Sequence, residues 1–167
     1  MDATPPTVPP VVAPSAIVLS PATQSDAPLL YALWDEEARR QSFSGGPTTL
    51  DTHTAWLKGV LADPDRHLYV ATERGLAVGS GRLDLVDYGK GAVISIVIAK
   101  EARGRGLGRR LILALEREAA ALGLDFIRAE ILEGNAASRR AFAMAGYVIE
   151  ELKDGAISML RTVTHDS

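Results

Sequence analysis

Residues 102–110 read ARGRGLGRR, with Gly104, Gly106 and Gly108 set among Arg103, Arg105, Leu107 and Arg109. Glycines let an anion reach backbone N–H groups, and arginines add positive charge in a forked geometry that suits phosphate. The run follows AVISIVIA (92–99), an apolar and β-branched segment. It precedes Leu111, Leu115, Ala119 and Leu122 at helical spacing, with Gly123 as the stop. Its N–H groups therefore include the unpaired donors of a helix N-terminus, which is an anion site. The plainer reading is a solvated turn. Two glycine-rich patterns fail here. A dinucleotide fingerprint needs glycine where Arg109 or Leu111 stands, and a Walker A loop needs lysine and a hydroxyl residue where Arg109 and Arg110 stand.

The elements that must hold this loop can be read on either side of it. Five of the nine prolines fall in the first fourteen residues, so residues 1–15 are expected to be a disordered, partly polyproline tail, with the domain spanning 16–167. AIVLS (16–20) reads as a first strand. Ser25 is expected to cap a helix from Asp26 with Leu29, Leu30 and Leu33 on its apolar side. Residues 34–48, WDEEARRQSFSGGPT, read as a long loop or broken helix, and a second helix is expected over Leu50–Leu61. HLYVAT (67–72) and AVGSGRLD (77–84) flank an ERG turn as a hairpin, and AVISIVIA should lie at the sheet centre, buried on both faces. After the loop and its helix come a strand FIRAEIL (126–132), a helix in NAASRRAFAMAG, and a terminal strand pair around Asp154-Gly155.

Bulk properties narrow the function. The chain has 167 residues, enough for one domain with a core, and its 47% hydrophobic and 23% charged content argues against wholesale disorder. A net charge of −3 argues against a general nucleic-acid-binding surface. The absence of cysteine excludes disulfides, thiolate metal sites and a cysteine nucleophile, and fits a reducing cytoplasm. No secretory leader or membrane span is apparent. His53, His67 and His165 have no metal-binding spacing and read as surface or strand residues, so no metal is expected. The acidic run 35–37 reads as a solvated face or as an attractor of a cationic amine.

Arg103, Gly106 and Gly108 form Arg-x-x-Gly-x-Gly, which resembles the acetyl-CoA signature of the Gcn5-related N-acetyltransferases (GNAT). A second run, from Asn135 through Ser138, Phe142 and Gly146 to Tyr147, is similar to the family's Asn-x-x-Ala-x-x-x-Tyr-x-x-x-Gly-Phe. Serine replaces alanine, phenylalanine the usual tyrosine, and tyrosine the final phenylalanine. The resemblance extends from about residue 16 onward. It implies an α/β (α+β) single-domain fold: a mixed six- to seven-stranded sheet, about four helices, and splayed central parallel strands. It implies acetyl-CoA as co-substrate, with pantetheine held by the backbones of Ile96, Val97 and Ile98. The pyrophosphate would then lie on Arg103, Gly104, Arg105, Gly106, Leu107, Gly108 and Arg109, with Asn135 and Phe142 beside the cofactor.

Acetylating an amine requires its neutral form, and an alkyl ammonium has a pKa near ~10, so a base is needed. Alternation places Arg128, Glu130 and Leu132 opposite Ile127, Ala129 and Ile131. Glu130 stands where ribosomal-protein N-terminal acetyltransferases of the family carry their glutamate base, and burial would raise its pKa. A structural ion pair with Arg128 or Arg82 is the alternative. Phe142 cannot protonate the leaving thiolate, which leaves Ser138 first, then Ser95, Tyr147 or water. The implied reaction is acetyl-CoA-dependent N-acetylation of a small-molecule primary amine. A looser likeness to the amino-sugar-nucleotide branch, including pseudaminic acid biosynthesis, suggests an amino sugar. Acceptor choice would lie in residues 34–47 with Arg82 and Asp84, and a phosphate-bearing acceptor would use Arg39, Arg40 and Arg82. Acetylation of a protein N-terminus and acyl-CoA binding without turnover stay open. The expected partner is the small amine, with a homodimer also admitted and neither nucleic acid nor membrane involved.

Overall fold

The computed structural model describes residues 16–165, so the proline-rich tail lies outside the described residues. Seven strands form one sheet in the order β1 (Val18–Pro21), β2 (Arg66–Glu73), β3 (Leu76–Val86), β4 (Gly91–Ile98), β5 (Phe126–Leu132), β7 (Ala156–Thr162), β6 (Val148–Lys153). Only β4 and β5 run parallel, and every other neighbouring pair is antiparallel. The expected mixed sheet with a parallel centre is therefore present. The terminal hairpin inserts β7 beside β5 and leaves β6 as the outer edge.

Five helices surround the sheet, one more than the sequence suggested. The addition is α2 (Glu36–Arg40), inside the segment read as a loop or broken helix. Its N-cap is Asp35, whose carboxylate accepts the Ala38 N–H at 2.9 Å. Before it, α1 (Ala27–Ala32) is capped by Asp26, not Ser25, because Gln24–Asp26 first make a 3-10 turn in which Asp26 bonds back to the Thr23 N–H. α3 (Leu50–Ala62) buries Leu57 and Val60 and lies against β2. α4 (Leu107–Ala121) buries Leu107, Leu111, Ile112, Ala114, Leu115 and Ala119. Leu122, expected on that face, is 39% exposed because it has already passed into the C-cap. α5 (Ala136–Met144) follows β5.

The helices divide between the two faces of the sheet, and glycine marks which is which. A Cβ on Gly81 would collide with Leu115, so the Gly81 side faces α4 and the missing side chain lets that helix approach. The next residue, Arg82, points the other way and lies over Trp56 of α3, its Cζ 5.3 Å from the ring centroid. Cross-strand register carries the division across the sheet. Gly81 pairs with Ile96 and Ile94 with Ala129, so these residues share the α4 face, whereas Arg82, Ser95 and Glu130 share the α3 face.

Candidate active site

The central strands start as partners and then separate. β4 and β5 pair from Gly91–Phe126 to Ile94–Ala129 and no further, although β4 stays paired with β3 as far as Ile98. Which backbone groups the separation leaves open follows from two bonds. Ala99 N–H donates to the Val78 carbonyl, while the Lys90 carbonyl accepts from Asp125 N–H. Odd-numbered residues of β4 thus turn their peptide groups to β3, and even-numbered ones turn theirs to β5. Ile96 N–H and C=O and the Ile98 N–H consequently face the gap, while the Ile98 carbonyl accepts Arg103 Nε at 3.1 Å. Val97 differs from the sequence expectation: it lines the groove, but its peptide groups belong to the β3 ladder. The same separation explains why AVISIVIA is not buried throughout. Ala92 and Ile94 are buried, whereas Ser95 through Ile98 are half-buried along the opening.

The gap runs into a groove of about 1250 Å³ that ends at the ARGRGLGRR loop. Gly104 and Gly106 have φ of 79° and 74°, in the left-handed region that favours glycine, and Gly106 is the N-cap of α4. A Cβ on either would meet open space, so the loop surface is clear for a ligand. The first-turn N–H groups of α4 lack partners within the helix and point to this space. A Cβ on Gly108 would instead come into ordinary contact with Ala141 of α5.

The loop's arginines are engaged with carboxylates from distant segments. Arg103 donates to both oxygens of Asp35, at 2.7 and 2.8 Å. Those bonds, followed by that from the Ala38 N–H, hold the Asp35 carboxyl well below the usual carboxylate range. Arg105 and Arg110 each take one oxygen of buried Glu73, at 2.6 and 2.7 Å, and lower its pKa, Arg110 more than Arg105. Arg109 is exposed at the groove. Of the acidic run read as a solvated face or as an attractor of an amine, Asp35 is thus held by Arg103, and Glu37 is bonded to Arg40 and Gln41.

Glu130, Ser138, Asn135 and Phe142 all line the groove, together with Ser95. Glu130 is exposed, not buried as expected, because β5 has lost its neighbour at that level. Neither arginine considered as its partner is bonded to it. Arg128 bonds Glu150 at 3.1 Å, and Arg82 bonds Asp84 at 3.0 Å. Asn135 caps α5 by accepting the Ser138 N–H at 3.1 Å. Tyr147, considered as a proton donor, is 3% exposed, packs edge-on against Phe142 with centroids 5.0 Å apart, and does not line the groove. Burial pushes its hydroxyl pKa further up, which makes it a poorer acid.

The other half of the groove holds Trp34 and Phe43, from the segment 34–47 expected to choose the acceptor, together with His53 and Trp56, which the sequence did not place there. His53 is a correction to the surface or strand placement expected for it. It is 3% exposed, stacks on Trp56 with centroids 5.3 Å apart, and its buried Nε2 has no partner among the described residues. Desolvation lowers its pKa, so the ring is neutral at neutral pH. Its i, i+3 spacing to Trp56 on one helix was the available signal. Arg39 and Arg40, expected near an acceptor phosphate, are used internally. Arg39 bonds the carbonyls of Trp34 and Pro47, and Arg40 bonds Glu37.

Residues 16–148 match the model of the acetyltransferase (GNAT) domain. The alpha/beta-tubulin-N-acetyltransferase 9 of Homo sapiens is 31% identical over 144 residues, covering 75% of this chain and 69% of that protein. Among solved structures, the spermidine N-acetyltransferase from Vibrio cholerae in complex with CoA and spermine aligns with a TM-score of 0.79 at 17% identity, over 88% of this chain and 95% of that one. The aminoglycoside acetyltransferase AAC(6')-Ib in complex with ribostamycin and coenzyme A aligns at 0.78 and 20% identity, over 88% and 93%. These structures share the fold. With the family model covering most of the described chain, the splayed strands and the glycine loop at α4 have their explanation: the protein belongs to the GNAT acetyltransferase family.

Proposed function

We propose that this protein transfers the acetyl group of acetyl-CoA to a primary amine of a small molecule. The observation that carries the reading is the separation of β4 from β5 beyond Ile94 and Ala129, which opens unpaired peptide groups beside a helix N-terminus free to hold an anion. Pantetheine amides would bond the Ile96 C=O and the Ile98 N–H, leaving the Ile96 N–H for the acetyl carbonyl, and the pyrophosphate would lie over Gly104 to Arg109. Asn135 would keep α5 in place beside the cofactor, and Phe142 would pack against it. The amine arrives from the α3 face. Glu130, directly or through a water, takes its proton, and the nitrogen lone pair attacks the thioester carbon. A β4 N–H that faces the gap stabilises the oxyanion. As the C–S bond breaks, the attacking nitrogen gives up its extra proton through the Ser138 hydroxyl, which relays it to the thiolate, so that amide, thiol and an unchanged serine result.

An amino sugar is the finer acceptor that the sequence likeness favours. A second reading, acetylation of a protein amine, is favoured by the tubulin-directed name of the human relative. Thiol release from acetyl-CoA should be measured with amino sugars, polyamines and peptides as acceptors. Small-amine turnover supports the main reading, and turnover with peptides alone replaces it. For Glu130→Gln we expect kcat/KM to fall by about a hundredfold or more with the base limb of the pH profile lost. An unchanged profile would falsify its role. As a further partner we propose a second copy of the chain, supported by the apolar residues exposed on edge strand β6.

A further inference from the structure

The acceptor half of the groove carries an arginine that the reaction above does not use. Arg82 lines it and is only partly exposed, with its side chain at 22%. One bond, Nε to Asp84 at 3.0 Å, and the face of Trp56 at 5.3 Å fix the guanidinium. Asp84 does not neutralise it alone, because the same carboxylate accepts Arg66 Nε at 3.1 Å, and Arg66 also lies 5.6 Å from the Trp56 centroid. Two cations around one anion leave a net positive charge. The terminal nitrogens of Arg82 have no bonded partner among the described residues, and they form a planar fork suited to carboxylate or phosphate.

Register gives the distance from this charge to the reacting end. Arg82 is opposite Ser95. Ile94 pairs with Ala129, so Ser95 and Glu130 are the next residues in line. Arg82, Ser95 and Glu130 thus form a row on one face, with Arg82 and Glu130 separated by one strand spacing and the opening between β4 and β5, more than roughly 10 Å at the backbone. Trp34, Phe43, His53 and Trp56 bound the space with flat apolar surface. Two carboxylates line the groove, Glu37 and Glu130, and Glu37 is already bonded to Arg40 and Gln41. A polyamine would find one carboxylate for several ammonium groups and an arginine against the rest.

Resting on the acetyltransferase reading, we infer that the acceptor is a primary amine carrying an anionic group at the far end of a flat or apolar body, with Arg82 binding the anion and Glu130 receiving the amine. Arg82 is a specificity-determining residue, and Asp84, Arg66 and Trp56 are its positioning residues. Carboxylate and phosphate share this chemistry.

The test uses phenylethylamine, its para-carboxylate, tyramine phosphate and spermidine with acetyl-CoA and the full chain. We expect kcat/KM to favour the carboxylate or the phosphate over the parent amine by about ten- to a hundredfold, carried mainly by KM. The better of the two names the anion. Arg82→Gln should bring that ratio close to one while acetyl-CoA still raises the melting temperature, and Arg82→Lys should retain part of it. Spermidine or phenylethylamine used as well as the anionic amines would overturn the inference and leave the acetyltransferase reading standing. If acetyl-CoA fails to raise the wild-type melting temperature, the reading beneath it falls first. If acetyl-CoA binds but no probe turns over, calorimetric titration of the CoA-loaded protein decides: equal or absent binding of the anionic and parent amines overturns the proposal.

Discussion

At the scale of single residues, the protein divides charge from backbone in its glycine loop. Arg103 and Arg105 occupy the positions from which charge would be expected to reach a pyrophosphate, yet both are bonded to protein carboxylates, Arg103 at its two terminal nitrogens. On the proposed function, anion recognition would therefore fall chiefly to the N–H groups of Gly104 to Arg109, with exposed Arg109 as a further cation. Gly106→Glu tests this, because it forces a side chain onto a φ of 74° and places a carboxylate where the phosphate would lie. We expect CoA affinity to fall by about tenfold or more and its thermal stabilisation to vanish. Retained affinity in calorimetry would move the pyrophosphate elsewhere.

At the scale of elements, α2 is tied to the loop before α4 by one residue with two duties. Asp35 caps α2 and accepts both Arg103 bonds, and Arg103 in turn bonds the Ile98 carbonyl at the end of β4. The helix α2, the glycine loop and the splayed strand are thereby joined. Because the Asp35 pKa is lowered on folding, the charged form stabilises the fold. That contribution is fully present above the unfolded value of about 3.9 and is lost as pH falls through the lower folded value. Asp35→Asn keeps a capping side chain but loses the charge. It should cost about 1 kcal/mol at neutral pH, and the difference from wild type should shrink progressively below about pH 4. Denaturant unfolding at several pH values measures this, and a difference independent of pH would show that the cap, not the ion pair, matters.

At the scale of the whole molecule, the sheet has a central opening and, at one of its two ends, a bare apolar edge. The opening exists because β4 follows β3 to Ile98 while β5 follows β7, and the two halves diverge after four paired positions. The bare edge is β6, where Val148, Ile149 and Leu152 are 66%, 61% and 63% exposed, on both faces of the strand. Apolar edge strands pair with other chains unless they are protected. Sedimentation velocity is expected to show a species of twice the 17.8-kDa chain mass that Ile149→Lys shifts to monomer. A wild-type protein that sediments as a monomer at every concentration would remove the homodimer. No helix among the described residues is long and apolar enough to cross a membrane.

Much of the frame was legible because its causes are local. The hairpin around Arg74-Gly75, the helix over Leu50–Ala62 and the glycine loop at the start of α4 each depend on a few neighbouring residues whose types suffice. Alternation also placed Glu130 opposite Ala129 and Ile131 correctly. Its exposure was not legible, since that depends on whether β4 still lies alongside. Nor were the partners of the loop arginines, which come from 68 residues away for Arg103 and 32 for Arg105. His53 lacked any metal spacing to mark it, and only the packing of α3 beside Tyr31 and over the groove buries its ring. The sequence by itself determined the elements and the glycine loop at a helix N-terminus, because backbone propensity and unpaired helix N–H groups are short-range properties. The tertiary structure alone decided where the sheet opens, which charges remain unmatched and what lines the acceptor side, because each of these depends on which distant segments come to lie together.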